Sequence, residues 1–184
     1  MPLGAARFGL GGVDLGKLEL IETKNITSST SAIDFTDIKE NIYNVHLLTL
    51  SNFVASASGN YTYIRLSNNG GTSFISTGYQ YAHQFGTVSG TFGEAKNTNA
   101  SFFNVLTENG ISSSGTYTYL YNLGDSSKYS FSTNHTMGNS SSAHTMFFGS
   151  SVHPTTETIN AIRLLPSGAG TIDTLDVSLY GIKE

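Results

Sequence analysis

The stretch Tyr61-Thr62-Tyr63-Ile64-Arg65-Leu66-Ser67, followed by Asn68-Asn69-Gly70-Gly71 and Thr72-Ser73-Phe74-Ile75, decides the fold class. Its first seven residues alternate Tyr61, Tyr63 and Arg65 with Thr62, Ile64 and Leu66, the period-two pattern of a half-buried strand. Asn and Gly tolerate the positive φ that tight reversals require, so residues 68–71 predict a turn. The spacing predicts a β-hairpin over residues 61–75.

The same signals recur along the chain. Strands are expected at Lys17–Lys24, Ile42–Leu50, Ser76–Phe85 and Ser101–Thr107. Val88–Glu94 is punctuated by Gly. Thr116–Asn122 alternates cleanly, with Tyr117, Tyr119 and Tyr121 on one face, and Gly124-Asp125-Ser126 predicts a turn into Lys128–Thr133. Asn134–Ser142 is expected to be a polar loop and Thr145–Phe148 a short strand. Thr158–Leu165 and Thr171–Ile182 complete the set, and Leu175, Val177 and Leu179 share a phase that a strand would bury. One or two helical turns are expected over Phe35–Asn41. About ten short strands with frequent turn signals predict an all-β fold, an antiparallel β-sandwich or jelly-roll-like arrangement.

The first sixteen residues differ from the rest. Gly4, Gly9, Gly11, Gly12 and Gly16 separate the apolar Leu3, Phe8, Leu10, Val13 and Leu15. Such a segment cannot form a core alone. Residues 1–16 are therefore expected to be an extended Gly-rich N-terminal arm whose Phe8, Leu10, Val13 and Leu15 anchor it to a partner, and residues 17–184 a single sandwich domain. Met1–Arg7 carries no basic leader before a long apolar run, so a signal peptide is not expected.

Composition narrows the function. Only 12% of the 184 residues are charged, the formal net charge is −4 and there is no Cys. A nucleic-acid-binding protein needs a basic patch, so that class is disfavoured. The longest apolar runs are far too short to span a membrane as a helix. The five histidines fall in no metal-ligating spacing, and His46, mid-strand, reads as a satisfied core or face histidine. The acids are few and scattered, and Arg65 is the only charged side chain between Asn41 and Gly93. Gly9-Leu10-Gly11-Gly12 lacks the preceding strand that a dinucleotide loop needs. No catalytic, cofactor or metal site is expected, and the chain is expected not to be an enzyme.

The enriched feature is tyrosine. Tyr61, Tyr63, Tyr79, Tyr81, Tyr117, Tyr119 and Tyr121 fall in alternating runs that would make an aromatic interaction face if they point outward. Burial in the core, or cover by a neighbouring subunit, is the competing expectation.

Two resemblances follow from these residues. Ser67-Asn68-Asn69-Gly70-Gly71-Thr72-Ser73-Phe74 resembles a degenerate Asp-box, a structural turn of sialidases and related proteins, with Asn69, Ser73 and Phe74 in place of its Asp, Thr and Trp. Ile159-Asn160-Ala161-Ile162-Arg163, through Pro166-Ser167-Gly168, to Val177-Ser178-Leu179-Tyr180-Gly181-Ile182-Lys183 resembles the closing strands of small virion proteins of tailed bacteriophages, especially marine ones. The stretch Ile64–Phe74 looks like a hairpin that recurs in the same group. The resemblance implies a structural component of a virion, made in the host cytoplasm, with other capsid or tail proteins as partners and self-association into homo-oligomers. Capsid decoration (cement) is the leading expectation. A tail-fibre or receptor-binding module recognising host glycans is the alternative, and a secreted carbohydrate-binding module the third.

Overall fold

The computed structural model describes residues 16–57, 60–108, 114–140 and 143–183, and every regular element among them is a strand. In chain order these are β1 (Lys17–Ile26), β2 (Ile33–Phe35), β3 (Val45–Ala55), β4 (Tyr61–Ser67), β5 (Tyr79–Thr87), β6 (Phe92–Ala100), β7 (Phe103–Glu108), β8 (Gly115–Tyr121), β9 (Ser130–Ser140), β10 (Ala143–His153), β11 (Ala161–Pro166) and β12 (Ile172–Lys183). Eight form one sheet in the order β1-β12-β3-β8-β9-β10-β5-β6, and four form a second in the order β2-β11-β4-β7. All pairings are antiparallel.

Setting aside the hairpins β5–β6 and β9–β10, the other eight strands have jelly-roll topology. Their orders, β1-β12-β3-β8 over β2-β11-β4-β7, are those of two interlocked Greek keys. The two hairpins are insertions that extend the larger sheet beyond β8. The all-β sandwich expected from the sequence is therefore present.

Period-two burial makes the core. Leu175, Val177 and Leu179 of β12, Leu48 and Leu50 of β3, Ile64 and Leu66 of β4, and Ile162 and Leu164 of β11 all point between the sheets. In β3 the buried phase changes after Leu50. Asn52 takes φ +55° at an irregularity opposite Thr174–Asp176, so that Phe53 and Ala55 turn inward. An amide side chain tolerates that left-handed conformation better than a branched one would. His46 is fully buried, and its Nε2 lies 2.8 Å from the Ile38 carbonyl, the arrangement of a core histidine.

Four local expectations change. The turn at 68–71 forms, but 72–75 is not a strand. One edge of β4 is taken by β11 and the other by β7 as far as Ile64, so the returning chain keeps a single direct ladder bond beyond it, Ile75 N–H to Leu66 C=O (2.9 Å). The Tyr79 hydroxyl completes the other half of that pair: it accepts from Leu66 N–H (2.9 Å) and donates to Ile75 C=O (3.1 Å). The helix expected at Phe35–Asn41 is absent, because Phe35 belongs to β2 and Lys39 turns at φ +59°. Asn134–Ser140 continues β9 instead of forming a loop. Finally, β2 and most of β6 were not legible: β2 is three residues long, and β6 carries only Gly, Ala and polar residues after Phe92.

The Asp-box-like turn is structural. Ser67 Oγ accepts from Gly71 N–H (3.0 Å), and Asn69 Oδ1 accepts from Ser73 N–H (3.0 Å). Gly71 takes φ +85°, and a Cβ there would come within 2.8 Å of the Thr36 methyl. The turn docks by Phe74, whose ring lies 4.0 Å under the Arg163 guanidinium, itself bidentate to Asp34 at 2.6 and 2.7 Å.

Candidate functional site

Strands β8, β9 and β10 invert the usual pattern of a sandwich. Apart from Leu120 and Phe147, their buried inward positions are polar: Thr116 and Thr118 of β8, Ser130, Ser132, Asn134 and Thr136 of β9, and Ser151 and His153 of β10. Their outward positions carry Tyr117, Tyr119, Tyr121, Phe131, Met137, Met146 and Phe148. Asn134, Thr136 and Ser151 have a structural use. They meet β7, whose edge backbone lacks a further strand: Asn134 Nδ2 and Thr136 Oγ1 each donate to the Val105 carbonyl at 3.1 Å, and Asn104 N–H donates to Ser151 Oγ at 3.2 Å. The seam caps the backbone edge of β7, while the buried hydroxyls of Thr118, Ser130 and Ser132 have no hydrogen-bond partner among the described residues.

The outward side chains line up across the sheet. Register places Leu18, Ile182, Val45, Tyr121, Phe131 and Val152 in one row, and Leu20, Tyr180, Leu47, Tyr119 and Thr133 in the next. Tyr117, His135, Phe148, Gln84 and Glu94 make a third row, and Gly115, Met137, Met146, Gly86 and Phe92 a fourth. Leu20 is 59% exposed, Met137 66%, Phe148 53% and Phe92 82%. Eight large apolar side chains of this face are at least 41% exposed, spread over strands from β1 to β6.

The seven tyrosines do not share one face. Tyr117, Tyr119 and Tyr121 lie on this outer surface, with Tyr117 OH 3.1 Å from His135 Nδ1 and the Tyr119 and Tyr121 rings stacked at 6.3 Å. Tyr79 is fully buried, and burial pushes its hydroxyl pKa up. Tyr61, Tyr63 and Tyr81 join an aromatic cluster: Tyr63 stacks on Phe102 at 3.5 Å, Phe102 faces Tyr81, and Tyr61 meets Phe147 edge-on at 6.0 Å. Burial raises the Tyr63 pKa and lowers that of His83, which stacks on Tyr81. The expected arm anchors Phe8, Leu10, Val13 and Leu15 lie outside the described residues. The chain enters β1 through Gly16, whose N–H donates to the Lys183 carbonyl (2.8 Å).

Sequence reasoning missed Phe131, Met137, Met146, Phe148 and Phe92 as surface residues. The signal was present: Phe131, Thr133, His135 and Met137 alternate with Ser132, Asn134 and Thr136. Taking the apolar set as the buried one hid it.

Chemically the surface offers ring faces, thioethers and hydroxyl or amide tips. A shallow depression of about 550 Å³ is lined by Tyr117, Tyr119, Tyr121, Thr133, His135 and Phe148. Two carboxylates on this face, Glu94 and Asp176, sit on strands six steps apart, roughly 29 Å along the sheet, where paired-carboxylate hydrolysis needs about 5–10 Å. Among the described residues no three His, Cys, Asp or Glu side chains gather as metal ligands. The fold and this surface define a jelly-roll sandwich whose larger sheet exposes an apolar outer face among the described residues. No family model matches the chain, and no curated protein matches it.

Proposed function

We propose that this chain is a non-enzymatic structural protein of a virion, held among its neighbours by the outer face of its eight-stranded sheet. The carrying observation is the inverted pattern of β8, β9 and β10, which spend serines and threonines inward and tyrosines, methionines and phenylalanines outward. Water exposure of such a face is unfavourable, and cover by protein removes the cost. A low net charge suits many copies packed closely. The resemblance of the closing strands narrows the proposal to decoration of a tailed-phage capsid, with residues 1–16 as the attachment arm.

The test is immunogold microscopy and mass spectrometry of particles purified from the source culture, with antibody against residues after Lys17. Label over the head is expected. Absence of the chain from the particles overturns the proposal. Outer-face variants such as Leu20→Ser or Phe148→Ser should fold and fail to incorporate.

The depression beside Tyr117 and His135 favours a second reading, a tail module that binds host glycans through aromatic and hydroxyl groups. Label confined to the tail, with glycan-array binding lost in a Tyr117→Ala, Tyr119→Ala, Tyr121→Ala variant, would replace the first reading with this one.

A further inference from the structure

The edges of the two sheets differ in how well they are closed. In the eight-stranded sheet, β1 is kinked by a register shift between Leu20 and Glu22, and its charges are satisfied locally: Lys24 pairs with Glu22 at 2.8 Å, and Glu19 accepts from Tyr43 OH at 2.5 Å. In the smaller sheet, β2 has three residues, and β7 is docked on β9 and β10 by the polar seam. The remaining edge, β6, is regular from Phe92 to Asn97. It contains no Pro, and Glu94 and Lys96 have no ion-pair or hydrogen-bond partner among the described residues.

The phase of its hydrogen bonds is fixed by the turn. Thr87 N–H donates to Thr91 C=O (2.9 Å) across the β5–β6 register. Antiparallel ladders alternate bonded and non-bonded pairs. Phe85–Gly93, His83–Ala95 and Tyr81–Asn97 are thus the bonded pairs, so Glu94 and Lys96 aim their backbone N–H and C=O away from β5. On the other side of β5, Val88 N–H donates to His144 C=O (3.1 Å), which requires the same phase.

We infer that β6 is a self-pairing edge, which joins two copies of this chain antiparallel about a two-fold axis at Ala95. An isologous contact must be self-complementary. Centred on Ala95, the pairing sets Glu94 of each copy opposite Lys96 of the other, in bonded positions on one face. Small side chains, Ala95 and Gly93, lie on the opposite face. Centring the axis on Glu94 or Lys96 would set two carboxylates or two ammonium groups against each other, and of the registers only the one at Ala95 pairs each Glu94 with a Lys96. The result is one sixteen-stranded sheet that lays two outer faces side by side. The contact is short, so self-association is weak and concentration-dependent. It stands independently of any virion role.

Sedimentation equilibrium of the full chain, from micromolar to sub-millimolar, tests it. The wild type is expected to form dimers. Lys96→Glu or Glu94→Lys alone should weaken self-association by about tenfold or more, because two attractions become two repulsions. Mixing these two variants should restore a heterodimer, since every Glu then meets a Lys. Circular dichroism verifies that each variant is folded. Ala95→Cys adds a geometric check in a chain with no other Cys. Non-bonded antiparallel partners stand about 4.5 Å apart at Cα, within disulfide reach, so mild oxidation should give a covalent dimer, whereas Ala82→Cys should not. A monomer throughout the series, or self-association that Lys96→Glu leaves unchanged, overturns the inference.

Discussion

Tyr79→Phe is expected to be among the most costly one-atom changes in this protein. The ring is fully buried, edge-on to Phe103 at 5.2 Å, so the phenyl group remains and no cavity opens. What disappears is the hydroxyl between Leu66 N–H and Ile75 C=O. Leu66 lies beyond the part of β4 that β7 covers, since the pairing with β7 ends at Ile64. Its N–H then has no strand to turn to. A buried donor left unsatisfied costs about 1–3 kcal/mol, and the lost donation to Ile75 adds about 1 kcal/mol, giving about 2–4 kcal/mol in all. For a chain of this length that corresponds to a Tm lower by about 5–12 °C. The chain has no Trp, so urea and thermal denaturation are best followed by far-ultraviolet circular dichroism. Tyr117→Phe is the matched control: its hydroxyl meets only the His135 ring at a side chain 46% exposed, and a change within about 0.5 kcal/mol is expected. If Tyr79→Phe and Tyr117→Phe melt together, the hydroxyl does not complete the Leu66–Ile75 pair and the account of the interrupted hairpin fails.

Gly181→Ala should destabilise by about 1–3 kcal/mol, because a Cβ there would lie 2.2 Å from the Tyr43 ring, which is held by Glu19; an unchanged Tm would show that the ring moves freely. Burial lowers the pKa of His46 and of His83, so the unfolded chain binds more protons below about pH 6.5. Unfolding free energy should therefore be full above that pH and decline as pH falls through it; a profile flat from pH 7 to 5 would contradict the buried neutral His46. Asp176 is held below the usual carboxylate range by hydrogen bonds from Asn25 and Asn52, so its contribution is present above about pH 4 and lost below, as a second, more acidic step. Asp34→Asn should cost no more than about 1 kcal/mol, since its pair with Arg163 is one-third exposed; a larger loss in urea melts would mean that the Arg163–Phe74 stack depends on the charge.

Much of the fold was legible because strand periodicity is local. Alternation at Thr116–Asn122 and Thr171–Ile182, and the turn at Gly124–Ser126, each needed only neighbouring residues to be read, and β8, β12 and the β8–β9 hairpin follow them. The absence of helix-forming runs and the density of Ser, Thr, Asn and Gly already directed the chain to an all-β sandwich. The candidate surface was only half legible. Tyr117, Tyr119 and Tyr121 could be grouped by phase, but phase does not say which side faces water. That depends on what the opposite side meets, and here β7 offers a bare backbone edge that hydroxyls and amides satisfy better than rings do. The same dependence placed Tyr79 in the core and gathered Tyr61, Tyr63 and Tyr81 around Phe102 and Phe147. It also turned the expected hairpin at 61–75 into a bridged pair at Leu66, because β11 holds one edge of β4 and β7 the other as far as Ile64. Sequence alone determined the strands with clear alternation, such as β8 and β12, and their two phases, since those rest on the geometry of a single extended chain. Which phase is inside, which edge stays open and which residues meet was decided by tertiary structure, because each is settled by a hydrogen-bonding or packing partner far away in the chain.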